Sequence, residues 1–259
     1  MVDSGNKNKS LEIVIDSKHY IKKRYSDIQR FFCELKYLKY FKDEDINVPF
    51  IYKFDKIQKT IIIDKIKGKI GDSLNNRDTK LCIDVLVKII FIFGLEKKNN
   101  NEIDRYISKV RSNIIWWCEN NNYIVEKEKL NILLQKLRKV CYISLFKDAK
   151  PSNWIFQKDK IYAIDFDYVK KSFFLADLAQ LLSYISLRKK ISYIFFVNYY
   201  LKQIFPKMKD YDKFYIPFKL ALVNSNIASE LHRENLGAYV KRGFAKQNRF
   251  ILSEFKIIL

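Results

Sequence analysis

Two kinds of hydrophobic pattern divide the chain. Near its start, β-branched and aromatic residues form short runs bounded by turn residues, which predicts two pairs of β-strands. The runs are LEIVI and HYIKKRY, joined by a turn at Asp16–Lys18, and FIYKF and TIIIDKI, which follow Pro49. Between the two pairs, apolar residues recur every three or four positions from Ile28 to Phe41. This spacing predicts an amphipathic helix with Ser26 as its N-cap and with Glu34 off the centre of the apolar stripe.

The remainder of the chain is mostly helical in pattern. Three segments carry apolar residues at helical spacing, and the same spacing resumes from Leu175. The three segments are Asp78–Leu95, Glu102–Glu119 and Glu126–Val140. One stretch breaks the pattern, because the β-like runs NWIF and IYAI flank a polar turn at Gln157–Lys160. We expect these two runs to form a hairpin.

These patterns predict an α+β protein with two lobes. We expect a mobile arm over residues 1–10 and a strand-rich N-terminal lobe over residues 11–68. The larger helical C-terminal lobe is expected over residues 69–259 and includes the hairpin. Gly68 and Gly71 mark the boundary, because glycines interrupt regular structure.

Composition excludes a disordered chain but leaves the meaning of the charge open. Of 259 residues, 48% are apolar, and only 6 are glycine and 4 proline, so the chain can bury a core. The 49 Lys and Arg exceed the 29 Asp and Glu by 20, which favours phosphate-rich or membrane-surface partners. Lys, Asn and Ile are abundant together, however, as an AT-rich coding sequence would make them. The charge alone therefore identifies no partner.

Cysteines and apolar runs bear on the compartment. The four cysteines are dispersed without a CxxC pair, and the only two histidines, His19 and His232, form no cluster that would complete a zinc site. We therefore expect reduced thiols in a cytoplasmic protein. The most apolar run, Val85–Leu95, contains Lys88 and is shorter than the roughly 20 residues that cross a bilayer. Residues Met1–Ser10 are polar and lack the apolar stretch of a secretory signal.

One set of polar residues carries the predicted chemistry. Asp148 and Asn153 lie in a turn just before the hairpin, and Asp165 ends its second strand twelve residues after Asn153. Antiparallel pairing returns the second strand to the end where the first began, so we expect the three side chains to converge. Their carboxylate and amide oxygens suit Mg²⁺. The alternative is that Asp148 and Asn153 only cap a turn.

The sequence D-A-K-P-S-N followed by I-D-F-D resembles the catalytic loop D-x-K-P-x-N and the metal-binding D-F-G of protein-kinase-like enzymes. The resemblance implies a two-lobed kinase fold that uses ATP and Mg²⁺. It implies that Asp148 accepts the proton of the acceptor hydroxyl and that Lys150 steadies the transferred phosphoryl group. Asn153 and Asp165 would hold the metal.

The N-terminal lobe offers further parts that the resemblance implies. Lys22 and Lys23 point to opposite faces of one strand, so only one of them can face the phosphates, and we favour Lys23. Glu34 on the following helix is expected to pair with it. The less favoured alternative is an ordinary exposed helix carboxylate. Backbone groups from Asp64 to Ile66 are expected to bind adenine.

The chain also departs from the kinase pattern. Ser4-Gly5-Asn6 is the only candidate for a glycine-rich phosphate loop, and no strand fits before it. Either the nucleotide lid is minimal or the nucleotide site is impaired. Phe146 stands where the family has histidine, and Asp167 replaces the glycine of D-F-G. Only nine residues separate Asp167 from Asp177, too few for the activation segment of regulated protein kinases.

This short segment is similar to that of aminoglycoside and choline phosphotransferases and of lipopolysaccharide-core sugar (Kdo/heptose) kinases. The K-R-Y strand, I-D-F-D and D-L-A-x-L-L-S favour the lipopolysaccharide-core group. That group implies an anionic acceptor and peripheral contact with the inner membrane face. Asp177 of D-L-A is expected to bond back to the catalytic loop. A basic acceptor surface, or a set of merely solvated helix faces, would comprise Lys170, Lys171, Arg188, Lys189, Lys190, Lys241, Arg242, Lys246 and Arg249.

Three functions follow from these observations. The leading hypothesis is an ATP- and Mg²⁺-dependent phosphotransferase that acts on a hydroxyl of a small molecule or sugar. An atypical Ser/Thr protein kinase is the runner-up, favoured by Lys150 and opposed by the missing activation segment. A basic pseudokinase or nucleic-acid-binding module fits the charge of +20 and the absent glycine-rich loop. It does not explain why the chain has all four of the kinase-like residues Asp148, Lys150, Asn153 and Asp165. Nucleic acid is therefore the less favoured partner.

Overall fold

The strand-rich part of the computed structural model is built on an antiparallel sheet. The structure describes residues 9–71, 74–96, 100–186, 193–232 and 238–258. The sheet runs in the order β1-β2-β4-β3, with β1 at Lys9–Ile15, β2 at Lys18–Arg24, β3 at Ile51–Asp55 and β4 at Thr60–Asp64. Asp16 and Ser17 form the turn between β1 and β2 with φ of 46° and 63°, the positive values that tight hairpins require. β1 begins inside the predicted arm, and the candidate loop Ser4-Gly5-Asn6 lies outside the described residues.

Helix α1 (Ile28–Asp43) connects β2 to β3. Its N-cap is Asp27, whose Oδ1 accepts the amide of Gln29 at 2.8 Å, so the prediction of Ser26 was wrong. A carboxylate accepts this bond well because the first amides of a helix lack partners. The buried face of α1 carries Phe31, Glu34, Leu35, Leu38 and Phe41. Ile28 and Phe32, predicted to lie in the apolar stripe, are exposed.

Within the described residues, five further short strands complete the β-structure. They are β5 (Lys69–Ile70), β6 (Ile143–Phe146), β7 (Trp154–Gln157), β8 (Lys160–Ala163) and β9 (Lys170–Phe173). The predicted hairpin is confirmed as β7 and β8, and β5 pairs with β7 to make a three-stranded sheet. β6 pairs with β9, and the sequence predicted neither strand. Four residues give too few alternations for a clear strand pattern.

Helices make up most of the C-terminal part. They are α2 (Asn76–Phe93), α3 (Asn100–Asn120), α4 (Lys127–Lys139), α5 (Ala176–Ser186), α6 (Tyr193–Ile204), α7 (Tyr215–His232) and α8 (Ala238–Glu254). The predictions for α2, α3 and α4 are confirmed, with ends within two residues of those expected. Helix α7 packs against α3, α4, α5 and α8 and lies at the centre of this part. None of the helices in the described ranges is long and apolar enough to span a membrane.

The described residues divide into two compact units. Residues up to 71 form the first unit together with Pro151–Lys170, and the other described residues form the second. The sequence assigned the hairpin to the helical lobe, but the hairpin groups with the strands. The reason is that β7 pairs with β5 and the Ala163 amide donates to the Asn47 carbonyl at 2.9 Å.

Candidate active site

Lys23 on β2 lies between two carboxylates of the first unit. Its Nζ is 2.7 Å from Glu34 Oε1 on α1 and 3.2 Å from Asp165 Oδ1, which follows β8. Lys22 occupies the neighbouring position of β2, and its side chain leaves the opposite face of the strand. The structure therefore brings together Lys23, Glu34 and Asp165, and it does not include Lys22 in that group.

Burial and neighbouring charges have opposite effects on the pKa values of Lys23 and Glu34. Burial raises the pKa of the Glu34 carboxyl, and nearby Lys23 offsets only part of that effect. Burial acts to lower the pKa of Lys23, but the charges of Glu34 and Asp165 outweigh it and raise that pKa. The Lys23 ammonium therefore stays protonated at neutral pH. Burial, and then the Glu34 charge, also raises the pKa of the Tyr25 hydroxyl.

Asp165-Phe166-Asp167 is anchored on α1 by its central residue. Phe166 is fully buried, with its ring centroid 4.9 Å from that of Phe41 on α1. Asp165 adopts a φ of 68°, a left-handed conformation that side chains other than glycine rarely take. Such conformations concentrate at functional sites.

Asp167 belongs to the same acidic group, although sequence reasoning gave it no role. Oxygen atoms of Glu34, Asp165 and Asp167 lie within 4.8 Å of one another. Asp167 Oδ2 is also 3.5 Å from an Nη of Arg30 on α1. The available signal was the second carboxylate of I-D-F-D, two residues after Asp165. Hard divalent cations favour such oxygen-rich surroundings.

Asn153 is tied to the segment that leads to Asp165. It is the last residue of a short 3-10 helix, Pro151–Asn153, and it is buried. Its carbonyl accepts the amide of Ile164 at 3.0 Å, next to the β7–β8 pair of Trp154 and Ala163. Antiparallel pairing thus returns the residue before Asp165 to Asn153, as the sequence predicted.

Asp148 and Lys150 lie in the second unit, before the short 3-10 helix. Lys150 Nζ donates to Asp148 Oδ2 at 2.7 Å, and Gln180 Nε2 on α5 donates to Asp148 Oδ1 at 2.5 Å. Asp148 also has a left-handed backbone, with a φ of 67°. The sequence gave no role to Gln180, because its contact with Asp148 depends on how α5 packs.

Asp177 bonds back to the loop that contains Asp148, as predicted. Its two carboxylate oxygens accept the amides of Lys147 and Ala149, each at 2.9 Å. Burial raises the pKa of Asp177 to about 7, and the two amides with the Lys147 charge offset part of the rise. The two residues that flank Asp148 are thereby fixed to one side chain of α5.

The segment predicted to bind adenine ends β4. The Asp64 amide donates to the Phe50 carbonyl at 2.9 Å, and the Lys65 amide donates to the His19 carbonyl at 3.3 Å. On the neighbouring strand, Tyr20 opposes Asp64 and Lys23 opposes Ile61. Asp64 and Ile66 therefore lie farther along the chain than Ile61, the residue that pairs with Lys23. The amides of Asp64 and Lys65 already donate hydrogen bonds within the sheet.

Only part of the predicted basic surface lies within the residues that the structure describes. Arg188, Lys189 and Lys190 lie outside the described residues. Lys171 forms an ion pair with Glu96 at 2.7 Å, and Lys170 donates to the Tyr168 hydroxyl at 2.8 Å. Both of these lysines have local partners in the fold.

Comparison with solved structures identifies the fold of this chain. No protein-family model matches the sequence, and no curated protein matches it. Choline kinase from Streptococcus pneumoniae is 17% identical, with 94% of this chain and 89% of that chain covered and a TM-score of 0.60. Ethanolamine kinase from Plasmodium vivax is 15% identical, with 96% and 84% covered and a TM-score of 0.58.

A third similar structure contains a nucleotide analogue. Amicoumacin kinase, in complex with AMP-PNP, Ca²⁺ and its ligand Ami, is 15% identical, with 98% of this chain and 87% of that chain covered and a TM-score of 0.56. All three are kinases. The chain therefore has the protein-kinase-like α+β fold, with the strand-rich N-terminal and helical C-terminal parts that its sequence predicts.

Proposed function

We propose that this chain is an ATP- and Mg²⁺-dependent phosphotransferase that acts on a hydroxyl group of a small molecule. One observation carries the proposal: within a kinase-like fold, Lys23 is held by Glu34 at 2.7 Å and by Asp165 at 3.2 Å. Phosphoryl transfer depends mainly on positioning and on charge neutralisation, and a lysine–glutamate pair of this kind is a recurring part of it. The similar structures support the same reaction class, since all three are kinases.

The nucleotide would be held by charge and by backbone groups. Lys23 stays cationic and would contact the phosphates nearest the ribose. Asp64 and Lys65 already donate their amides within the sheet, so adenine contacts from this segment would use its carbonyl oxygens and the Ile66 amide. A carbonyl acceptor and an amide donor complement the amino group and a ring nitrogen of adenine.

The residues present fit a divalent metal. Asn153 and Asp165 would hold Mg²⁺ through an amide and a carboxylate oxygen, the ligand types that this ion prefers. The carboxylates of Glu34, Asp165 and Asp167 make the surroundings acidic, with oxygens within 4.8 Å of one another. When bound, the ion would neutralise charge on the β- and γ-phosphates.

Asp148 would act as the base. The acceptor oxygen bonds to the γ-phosphorus, while the bond from that phosphorus to the β–γ bridging oxygen breaks. The electron pair of that bond leaves with ADP, and the acceptor proton passes to an Asp148 oxygen. Lys150, with Nζ 2.7 Å from Asp148 Oδ2, would donate to the oxygens of the transferred phosphoryl group.

For the acceptor, we propose an anionic molecule such as a lipopolysaccharide-core sugar. The sequence supports this through its I-D-F-D and D-L-A-x-L-L-S motifs and its excess of 20 positive charges. Opposite charge speeds association and disfavours cationic acceptors. Work at the inner membrane face would follow from such an acceptor.

The test begins with nucleotide binding. We expect AMP-PNP to raise the melting temperature in the presence of Mg²⁺ and much less in EDTA. Labelled ATP offered with phosphorylated sugars, choline, an aminoglycoside and a Ser/Thr peptide then identifies the acceptor class. Asp148→Asn should lower turnover by about 10²-fold or more while leaving AMP-PNP binding intact. A wild-type chain that neither binds AMP-PNP nor consumes ATP would contradict the proposal.

A further inference from the structure

Gln180 on α5 makes a direct hydrogen bond to the proposed base. Its Nε2 donates to Asp148 Oδ1 at 2.5 Å, while Lys150 donates to Oδ2 at 2.7 Å. Each carboxylate oxygen therefore has a donor that fixes the rotation of the group. We propose that Gln180 is a positioning residue, which aims the remaining lone pairs of Asp148 at the acceptor hydroxyl. This inference rests on the proposed phosphotransferase function.

The backbone around Asp148 is held by the same face of α5. Asp177 lies three residues before Gln180, so both side chains project from one face of the helix. Asp177 accepts the amides of Lys147 and Ala149, the residues on either side of Asp148. Asp177 thus fixes the main chain at the base, and Gln180 fixes its side chain.

Helix α5 is firmly held in its own unit. Ser183 donates to Asn226 on α7 at 2.5 Å, and the Tyr184 hydroxyl donates to Ser229 on α7 at 3.2 Å. The fully buried apolar residues of α5 are Leu178, Ala179, Leu181 and Leu182. A support carried on a packed helix is more precise than one carried on a loop. Asp148 needs such support because its own backbone is in the left-handed region.

The side-chain amide of Gln180 fits a role in hydrogen bonding to Asp148 better than a role in packing the core. Its Oε1 is buried and accepts no hydrogen bond from the described residues. A buried polar atom without a partner is unfavourable, so methionine or leucine would fill the same space at lower cost. A neutral amide also donates to Asp148 without adding a second cation beside Lys150.

The experiment compares two variants of Gln180 with a matched control in steady-state ATP hydrolysis, where water replaces the acceptor. Gln180→Met keeps the volume and removes the donor, and Gln180→Glu keeps the shape and places a carboxylate against Asp148. We expect Gln180→Met to lower kcat about tenfold or more and to leave KM for ATP within about twofold. Gln180→Glu should lower kcat further. The control is Gln203→Met, because Gln203 on α6 donates to Asp84 at 3.0 Å in the same unit.

The outcomes separate this inference from the function on which it rests. If the wild type hydrolyses ATP and Gln180→Met keeps its kcat, the positioning role is overturned and the function stands. The same conclusion holds if Gln203→Met lowers kcat equally, or if both Gln180 variants fail to fold, since Gln180 would then be structural. If the wild type neither hydrolyses ATP nor binds AMP-PNP, the function fails, and the inference fails with it.

Discussion

The ammonium group of Lys23 lies 2.7 Å from the carboxylate of Glu34, and this ion pair joins β2 to α1. Glu34 is 1% exposed and Lys23 is 13% exposed, so water screens the pair very little. Removing one partner of a buried pair leaves the other charge without compensation. The group proposed to bind the nucleotide therefore also stabilises the first unit.

Replacing Lys23 tests both roles. Lys23→Met should lower the free energy of unfolding by about 3 kcal/mol, because it leaves Glu34 buried and unpaired. It should also abolish the stabilisation by AMP-PNP with Mg²⁺. Urea unfolding and thermal shift measure the two effects. Lys22→Met is the matched control, since Lys22 lies on the opposite face of β2 and should change both quantities little.

A double variant separates stability from binding. Lys23→Met combined with Glu34→Gln removes the unpaired charge, so part of the lost stability should return. AMP-PNP stabilisation should remain absent, because no cation replaces Lys23. Equal losses of stability in Lys22→Met and Lys23→Met would contradict the assignment of Lys23 to the buried pair.

Features close together in sequence were predictable, because their geometry follows from local pairing. Asn153 and Asp165 flank one hairpin, and the antiparallel pairing of its two strands brings them to the same end. The alternation of side chains along a strand likewise separated Lys22 from Lys23. The partner of Lys23 followed from the resemblance, which placed a glutamate on the next helix.

Features that depend on packing between distant segments were not predictable. Gln180 reaches Asp148 across 32 residues of sequence, and no local pattern distinguishes it from other polar helix residues. The exposure of Phe32 depends on which side of α1 meets the sheet, and the apolar spacing fits more than one side. The hairpin joined the strand-rich unit because β5 pairs with β7, and two residues are too few to predict a strand.

The Mg²⁺ dependence of AMP-PNP binding should be lost when Asp165 is replaced. In Asp165→Asn, AMP-PNP should stabilise the protein equally with and without Mg²⁺, because an amide oxygen is a much weaker ligand than a carboxylate. Thermal shift over a Mg²⁺ titration measures the change. Asp159→Asn, in the exposed turn at the other end of the hairpin, is the control and should keep the wild-type response. A wild-type Mg²⁺ response in Asp165→Asn would remove Asp165 from the metal site.

The raised pKa of Asp177 predicts a pH dependence of stability. The pKa is about 7 in the folded protein, against an ordinary value of 3.8. Between these values the unfolded chain loses the proton and the folded chain keeps it, so this contribution to stability falls as pH rises from about 4 to about 7. This contribution to the free energy of unfolding amounts to at most about 4 kcal/mol. It is fully present below pH 4 and lost above pH 7.

Urea unfolding of the wild type and of Asp177→Asn from pH 5 to pH 8 isolates this contribution. Asparagine does not titrate, so the advantage of the wild type over the variant should shrink steadily toward pH 7. Other titrating groups are common to both proteins and cancel in the difference. A difference in unfolding free energy that does not change with pH would contradict the raised pKa of Asp177.

Gly68 has no room for a side chain where the chain enters β5. A Cβ at this position would lie 2.4 Å from the Phe156 carbonyl oxygen and 2.7 Å from Ile155 Cγ2, both on β7. The carbonyl belongs to the backbone and cannot rotate away, so Gly68→Ala should force β5 from β7 and lower the free energy of unfolding by about 2 kcal/mol. Gly94 is the matched control, because a Cβ there meets nothing within 4 Å and only its φ of +76° opposes alanine. Gly94→Ala should therefore cost only the backbone strain of this conformation, about 1 kcal/mol. If urea unfolding finds Gly68→Ala no more destabilising than Gly94→Ala, the close approach of β5 to β7 is not what requires glycine at position 68.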